Sequence, residues 1–178
     1  MSVAKTKPTE VSDESNVDHC VRVLSLLVRY VWAMPNTLIG LLFIPTAMLP
    51  RGRMQVIDGV LEAHGPLISA ILRRCVSLPN GAAAITFGHV VLARDSWSLD
   101  ATRAHERVHV RQCEIWGPAF IPAYLIAGLW GLMTGTGAYT GNYFERQAIR
   151  EVASLGLPNP SSAPEAGNVP RPAICRAT

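Results

Sequence analysis

Residues 21–49 read VRVLSLLVRYVWAMPNTLIGLLFIPTAML, a run so apolar that any fold of this chain must bury it in protein or in lipid. About 20 apolar residues suffice to cross a bilayer as a helix. The run is therefore long enough for one kinked membrane helix, or for two short helices forming a re-entrant hairpin. The alternative is a pair of buried helices in a soluble core. Arg22 and Arg29 interrupt its first half, Pro35-Asn36 breaks its middle, and Pro45 and Pro50 punctuate its end. Composition points the same way. Of the residues, 49% are hydrophobic and 16% charged, against about a quarter charged in an ordinary soluble domain. The mean hydropathy is positive, at +0.22. We expect a membrane-associated protein, integral or monotopic, with membrane lipid as a partner.

The net charge is +3 and the basic residues are scattered, with pairs at Arg73-Arg74 and Arg51/Arg53. No basic run is interleaved with aromatics, so no nucleic-acid partner is expected. Arginine pairs beside apolar segments suit anionic lipid headgroups better. Cys20, Cys75, Cys113 and Cys175 are far apart, without a CxxC pair. That spacing argues against a disulfide scaffold and against a zinc finger, and reads as reduced and intracellular-facing.

Residues 1–19 are polar and aperiodic and are expected to be a disordered tail. They do not read as a secretory signal, since the apolar run that follows is too long and lacks a cleavage site. Residues 20–156 are expected to form a single domain. Asp58-Gly59 sits between two short apolar stretches and predicts a hairpin, because both positions tolerate positive φ. Residues 66–76 read as a short helix or link. Residues 84–93, AITFGHVVLA, are expected to form a third strand. A helix should start at Leu99 or Asp100 and end at Trp116, before Gly117-Pro118. Residues 119–133 form a second apolar segment, followed by a loop with Gly135, Gly137 and Gly141. A last helix runs from about Asn142 to Leu155. Residues 157–178 are expected to be a disordered Pro-rich tail.

The expected helix over 100–116 contains His105-Glu106-Arg107-Val108-His109. Histidines at i and i+4 project from one helical face, one turn apart, as two imidazoles must to bind one zinc ion. The glutamate between them can take a proton from an attacking water. The candidate metal ligands are His105 and His109, and the candidate catalytic base is Glu106. A catalytic zinc needs a third protein ligand and an open position. Glu145, on the last helix, is the candidate. Asn142 followed by Glu145 is equally a capping box, in which the glutamate bonds back to the helix start. Gln112 and Cys113 lie on the histidine face and read as packing or supporting groups, with a Cys113 thiolate ligand as the alternative. Glu114 turns away from that face. His89 and His64 read as ordinary residues, His89 being the better candidate of the two for substrate contact.

With these residues in view, the chain resembles the gluzincin type of HExxH metallopeptidase, whose third zinc ligand is a glutamate on a later helix. It is also similar to a group of small bacterial membrane-associated proteins that share several runs with it. These are Gly88-His89-Val90-Val91, the HExxH motif, Trp116-Gly117-Pro118, Pro122-Ala123-Tyr124 and the Asn-x-x-Glu-Arg helix. The likeness covers residues 22–155. It implies Zn²⁺ bound by His105, His109 and Glu145, Glu106 as general base, a peptide or membrane-protein substrate, and a bacterial inner membrane. Where many gluzincins carry an acidic residue soon after the glutamate ligand, this chain has Ile149 and Arg150, with Glu151 later. The usual stabilising His, Tyr or Arg is unassigned, with Tyr139, Tyr143 and Arg146 as candidates. A non-catalytic membrane protein with a structural or decayed zinc site is the alternative.

If residues 115–134 crossed the bilayer, Glu145 would sit opposite the histidines. The segment must therefore fold back at Gly117-Pro118, or the glycine-rich chain must return extended. The expected architecture is α+β: an N-terminal membrane helix or helical hairpin, a small antiparallel sheet of three strands, and zincin-like helices with the HExxH helix packed on the glutamate helix.

Overall fold

The computed structural model describes residues 10–74 and 81–157, with side chains from residue 18 onward. Of the expected tails, 1–19 and 157–178, residues 1–9 and 158–178 lie outside the described residues, as do Cys75 and Cys175. The chain is mixed α and β. Its elements run α1 (Glu10–Leu41), α2 (Ile44–Ala47), β1 (Arg53–Ile57), β2 (Val60–His64), α3 (Pro66–Arg74), β3 (Ala84–Phe87), β4 (Val90–Ala93), α4 (Ser96–Trp116), α5 (Phe120–Met133) and α6 (Tyr143–Ser154). A 3₁₀ turn, Gly117–Ala119, joins α4 to α5.

The N-terminal run forms one helix, not a hairpin. It starts at Glu10, inside the stretch expected to be a disordered tail. Extending an existing helix costs far less than nucleating one. Pro35 lies inside α1 without ending it. A helical proline forfeits a hydrogen bond, and packing compensates here. Ala33 is fully buried, and the Asn36 amide donates to the Gly117 carbonyl at 2.7 Å. The Trp32 indole donates to the Ile115 carbonyl. One face of the C-terminal part of α1 is thus fastened to the end of α4 and the 3₁₀ turn, whereas residues 18–28 are exposed on every side.

Asp58-Gly59 makes the expected hairpin, with φ of 48° and 76° and β1 antiparallel to β2. Gly59 is required twice over, because a Cβ there would meet the Tyr30 hydroxyl at 2.1 Å. The expected strand over 84–93 is instead two strands. Gly88 takes φ +60°, the chain reverses at Gly88-His89, and β3 pairs antiparallel with β4. A Cβ on Gly88 would lie 2.6 Å from the Thr37 nitrogen, so this glycine also lets the turn touch α1. The sheet has four strands in the order β1-β2-β4-β3. It is not wholly antiparallel, since β2 and β4 run parallel. A parallel neighbour needs a crossover, and the segment containing α3 and β3 supplies it.

Every residue of β4 is buried, and its period-2 alternation feeds two cores. Val90 and Leu92 pack with Ile68 and Leu72 of α3. Val91 and Ala93 pack with Leu99 and Val110 of α4. The Asp95 carboxylate caps α4 by accepting from the Ser98 amide at 2.7 Å, which starts the helix three residues before Leu99. A second tie holds α4 to the sheet. Glu62 of β2, 2% exposed, accepts two hydrogen bonds from Arg103 at 3.0 Å each and one from Gln55. Arg107, inside the HExxH motif, donates to the Ile57 carbonyl at 2.6 Å.

Two helical stretches, Asp18–Leu41 and Ser96–Met133, are long and apolar enough to cross a membrane. The second is broken at Gly117, where φ is 53°. There a Cβ would strike the Trp32 ring. α5 turns back so that Tyr124 reaches α6 and α4. The glycine-rich loop then returns along α5. Gly131 lies so close to Gly137 that a Cβ would meet its carbonyl at 2.4 Å. Of the two expected routes back, the fold at Gly117 is the one in use, and the glycine-rich loop runs through turns rather than extended.

Candidate metal centre

Successive turns of α4 carry His105 and His109, and α6 brings Glu145 to them. The three side chains are 4%, 6% and 3% exposed. His105 Nε2 lies 3.1 Å from Glu145 Oε2 and 3.0 Å from His109 Nε2. His109 Nε2 lies 3.4 Å from Glu145 Oε1. These atoms form a group able to hold a metal ion.

The neighbours decide which way the lone pairs face. The Gln112 amide nitrogen donates to the Phe144 carbonyl and to Gln147 Oε1. Its oxygen therefore faces His109 and accepts from Nδ1 at 2.8 Å. With its proton on Nδ1, a neutral His109 presents the bare Nε2 to His105 and Glu145. Two imidazole nitrogens and a carboxylate thus converge on one point and call for positive charge between them. Burial opposes ionisation of Glu145, but hydrogen bonds and charge from His105 and His109 hold its carboxyl well below the usual carboxylate range. A metal ion can supply the same charge. Ligands about 2.0–2.1 Å from a tetrahedral zinc sit about 3.3 Å from one another, and the three separations here fall close to that value. The donor set fits.

Glu145 does not complete a capping box. Asn142 caps α6 by itself, its side-chain oxygen accepting from the Phe144 amide at 3.0 Å. Its own N–H goes to the Tyr139 carbonyl. The Glu145 carboxylate is left free to turn inward, where Oε1 accepts a short hydrogen bond from the Tyr124 hydroxyl. Tyr139 stands close by. Burial, together with the charge and hydrogen bonding of Glu145, pushes its phenol well up from the ordinary tyrosine value.

Glu106, 5% exposed, accepts from the Thr86 hydroxyl of β3 at 2.7 Å, which steadies one carboxylate oxygen. Cys113 is buried beside Ala33, Phe120 and Phe144 and is not in the group. His89 lies away from it as well. Its Nε2 is 3.1 Å from Glu114 and its ring stacks on Tyr30 at 3.9 Å, so it joins α1 to α4. His64 is half-buried and outside the group. Tyr143 and Arg146 are exposed. Sequence reasoning missed the roles of Thr86 and Tyr124. No pattern marks Thr86, whereas a polar side chain in the otherwise apolar 119–133 segment was an available signal for Tyr124. Comparison with protein-family models, with curated proteins and with solved structures finds no match to this chain.

Proposed function

We propose that the chain is a membrane-associated zinc-dependent hydrolase, a metallopeptidase acting on a peptide or membrane-protein segment. The observation that carries this reading is the convergence of His105, His109 and Glu145, from two helices, on one buried point beside Glu106. Among the described residues no fourth His, Cys, Asp or Glu joins the group, which suits a centre with one position left for chemistry. Zinc held there supplies Lewis acidity, which activates water near neutral pH and polarises a carbonyl.

The protein's own residues do the rest. Glu106, oriented by Thr86, takes the proton of the attacking water and hands it to the leaving amine nitrogen. Gln112 holds the His109 tautomer, and Tyr124 holds Glu145. Membrane association is supported by α1, where residues 18–28 are exposed on all sides and largely apolar. An all-round apolar helix needs protein or lipid about it. The outer side of α5 adds Leu125, Ile126, Leu129 and Trp130. A second reading, a non-catalytic membrane protein with a structural or decayed zinc site, is favoured by the near-complete burial of all three donors.

The test is metal content by elemental analysis of detergent-purified protein. The expected result is about one zinc per chain, lost in His109→Ala and in Glu145→Ala. Glu106→Gln should keep the zinc and lose peptide hydrolysis. Zinc in wild type without hydrolysis selects the second reading. No zinc in wild type overturns the metal centre.

A further inference from the structure

We propose that Tyr124 is a positioning residue for Glu145, and that the apolar helix α5 is therefore a working part of the metal centre. The inference rests on the zinc reading above. α5 reads FIPAYLIAGLWGLM, and Tyr124 is its one side chain bearing a hydroxyl. That hydroxyl is not turned to solvent or to the exposed side of the helix. It donates to Glu145 Oε1, the oxygen that lies 3.4 Å from His109 Nε2. A carboxylate on α6 has two torsions with which to swing away from the histidines. A donor fixed on one of its oxygens leaves the other aimed at His105, 3.1 Å away.

The phenol is itself held. Its ring meets His109 edge-on at 6.1 Å, lies against Phe144 and packs beside Phe120. The main chain is pinned as well. Asn142, fully buried, donates its side-chain N–H to the Tyr124 carbonyl at 3.1 Å, while its oxygen caps α6. One asparagine therefore sets the start of the glutamate helix and ties it to α5 at the residue that grips the glutamate. The direction of α5 is set in turn by Gly117, whose carbonyl is held by Asn36 of α1. A continuous line of contacts runs from α1 through Gly117 and α5 to the carboxylate. Opposite Tyr124, the same helix exposes Leu125, Ile126, Leu129 and Trp130.

The experiment compares full-length wild type with Tyr124→Phe and Tyr143→Phe in detergent. Tyr143 is an exposed phenol on α6, so the second variant makes the same chemical change away from the centre. Zinc affinity is read by competition with a chromophoric chelator, and ligand geometry by the visible spectrum of the cobalt-substituted protein. Partners that orient metal ligands are worth about 10–100-fold in affinity. Tyr124→Phe should weaken zinc by that factor and shift the cobalt bands, while Tyr143→Phe changes neither. Incorporation of a fluorotyrosine at position 124 keeps the ring and hydroxyl, strengthens the donor, and should also move the cobalt spectrum. Wild-type affinity and spectrum in both position-124 proteins overturn the inference and leave the zinc reading standing. Absence of metal from wild type overturns both.

Discussion

Two histidine–carboxylate groups share the helix α4, and they are built differently. At Glu114, one imidazole meets one carboxylate. His89 Nε2 lies 3.1 Å away, its ring lies nearly flat on Tyr30, and its backbone N–H donates to Thr37. The partners come from α1, the β3–β4 turn and α4. At Glu145, two imidazoles and a carboxylate lie within 3.0–3.4 Å of one another. The Gln112 oxygen accepts from His109 Nδ1, which turns the other ring nitrogen toward His105 and Glu145. A buried histidine beside a carboxylate is thus no sign of a metal by itself. The convergence of three ligand atoms is, and among the described residues only the Glu145 group has it.

The sharpest way to break that contrast is to remove one histidine from each group. His105→Ala should lower zinc affinity by more than about 100-fold, beyond the effect of losing a merely orienting partner. His89→Ala should leave zinc affinity unchanged, although it loosens α1. Chelator competition on the two purified variants reads both. Zinc lost equally from the two would mean that the α1 joint, and not the ligand, governs the centre.

The next effect is on stability. A ligand that binds only the folded chain stabilises it by about 2.7 kcal/mol at 100 times its dissociation constant. Adding zinc to the stripped protein at that excess should stabilise wild type and His89→Ala by that amount, and His105→Ala by almost nothing. Thermal melts with and without chelator check this. A smaller effect falls on Gln112. Gln112→Leu keeps the volume but frees the His109 ring to rotate and change tautomer, so zinc affinity should drop about 10–100-fold. An unchanged affinity would remove Gln112 from the argument about lone pairs.

How much of this was legible in the residues differs between the same two regions. HExxH fixes His105, Glu106 and His109 on one helical face, because a 3.6-residue period leaves no other arrangement. Glu145 was one of two readings, and what separates them is how Asn142 uses its side chain, which no spacing reveals. Gln112 stood on the histidine face at i+3 from His109. Thr86 was invisible, since only the pairing of β3 with β4 brings a strand hydroxyl to Glu106. The β3–β4 turn was misread because Gly88-His89 lacks the Asn-Gly or Asp-Gly signature that Asp58-Gly59 carries. What demands a glycine at position 88 is the approach of Thr37, a residue far away in the chain. For the same reason His89, though read as an ordinary residue, was ranked above His64 for substrate contact. On a continuous strand before α4 it would face the motif, whereas on a turn it meets α1.

The smallest effect tests the joint alone. Glu114 has a side chain 16% exposed and lies between His89 and Arg29, the arginine being 3.8 Å away. In Glu114→Gln the amide oxygen can still accept from His89 Nε2, so the hydrogen bond survives and only its charge is lost. A hydrogen bond to a charged group contributes about 1 kcal/mol more than a neutral one. The Arg29 contact adds little, since that side chain is 57% exposed. We therefore expect Glu114→Gln to destabilise the fold by about 1 kcal/mol in chemical denaturation. Zinc affinity and the cobalt spectrum should not move, because no atom of this pair touches the centre. A shift of the cobalt bands in this variant would mean that α4 transmits the state of the α1 joint to His109, and the two groups would then have to be treated as one.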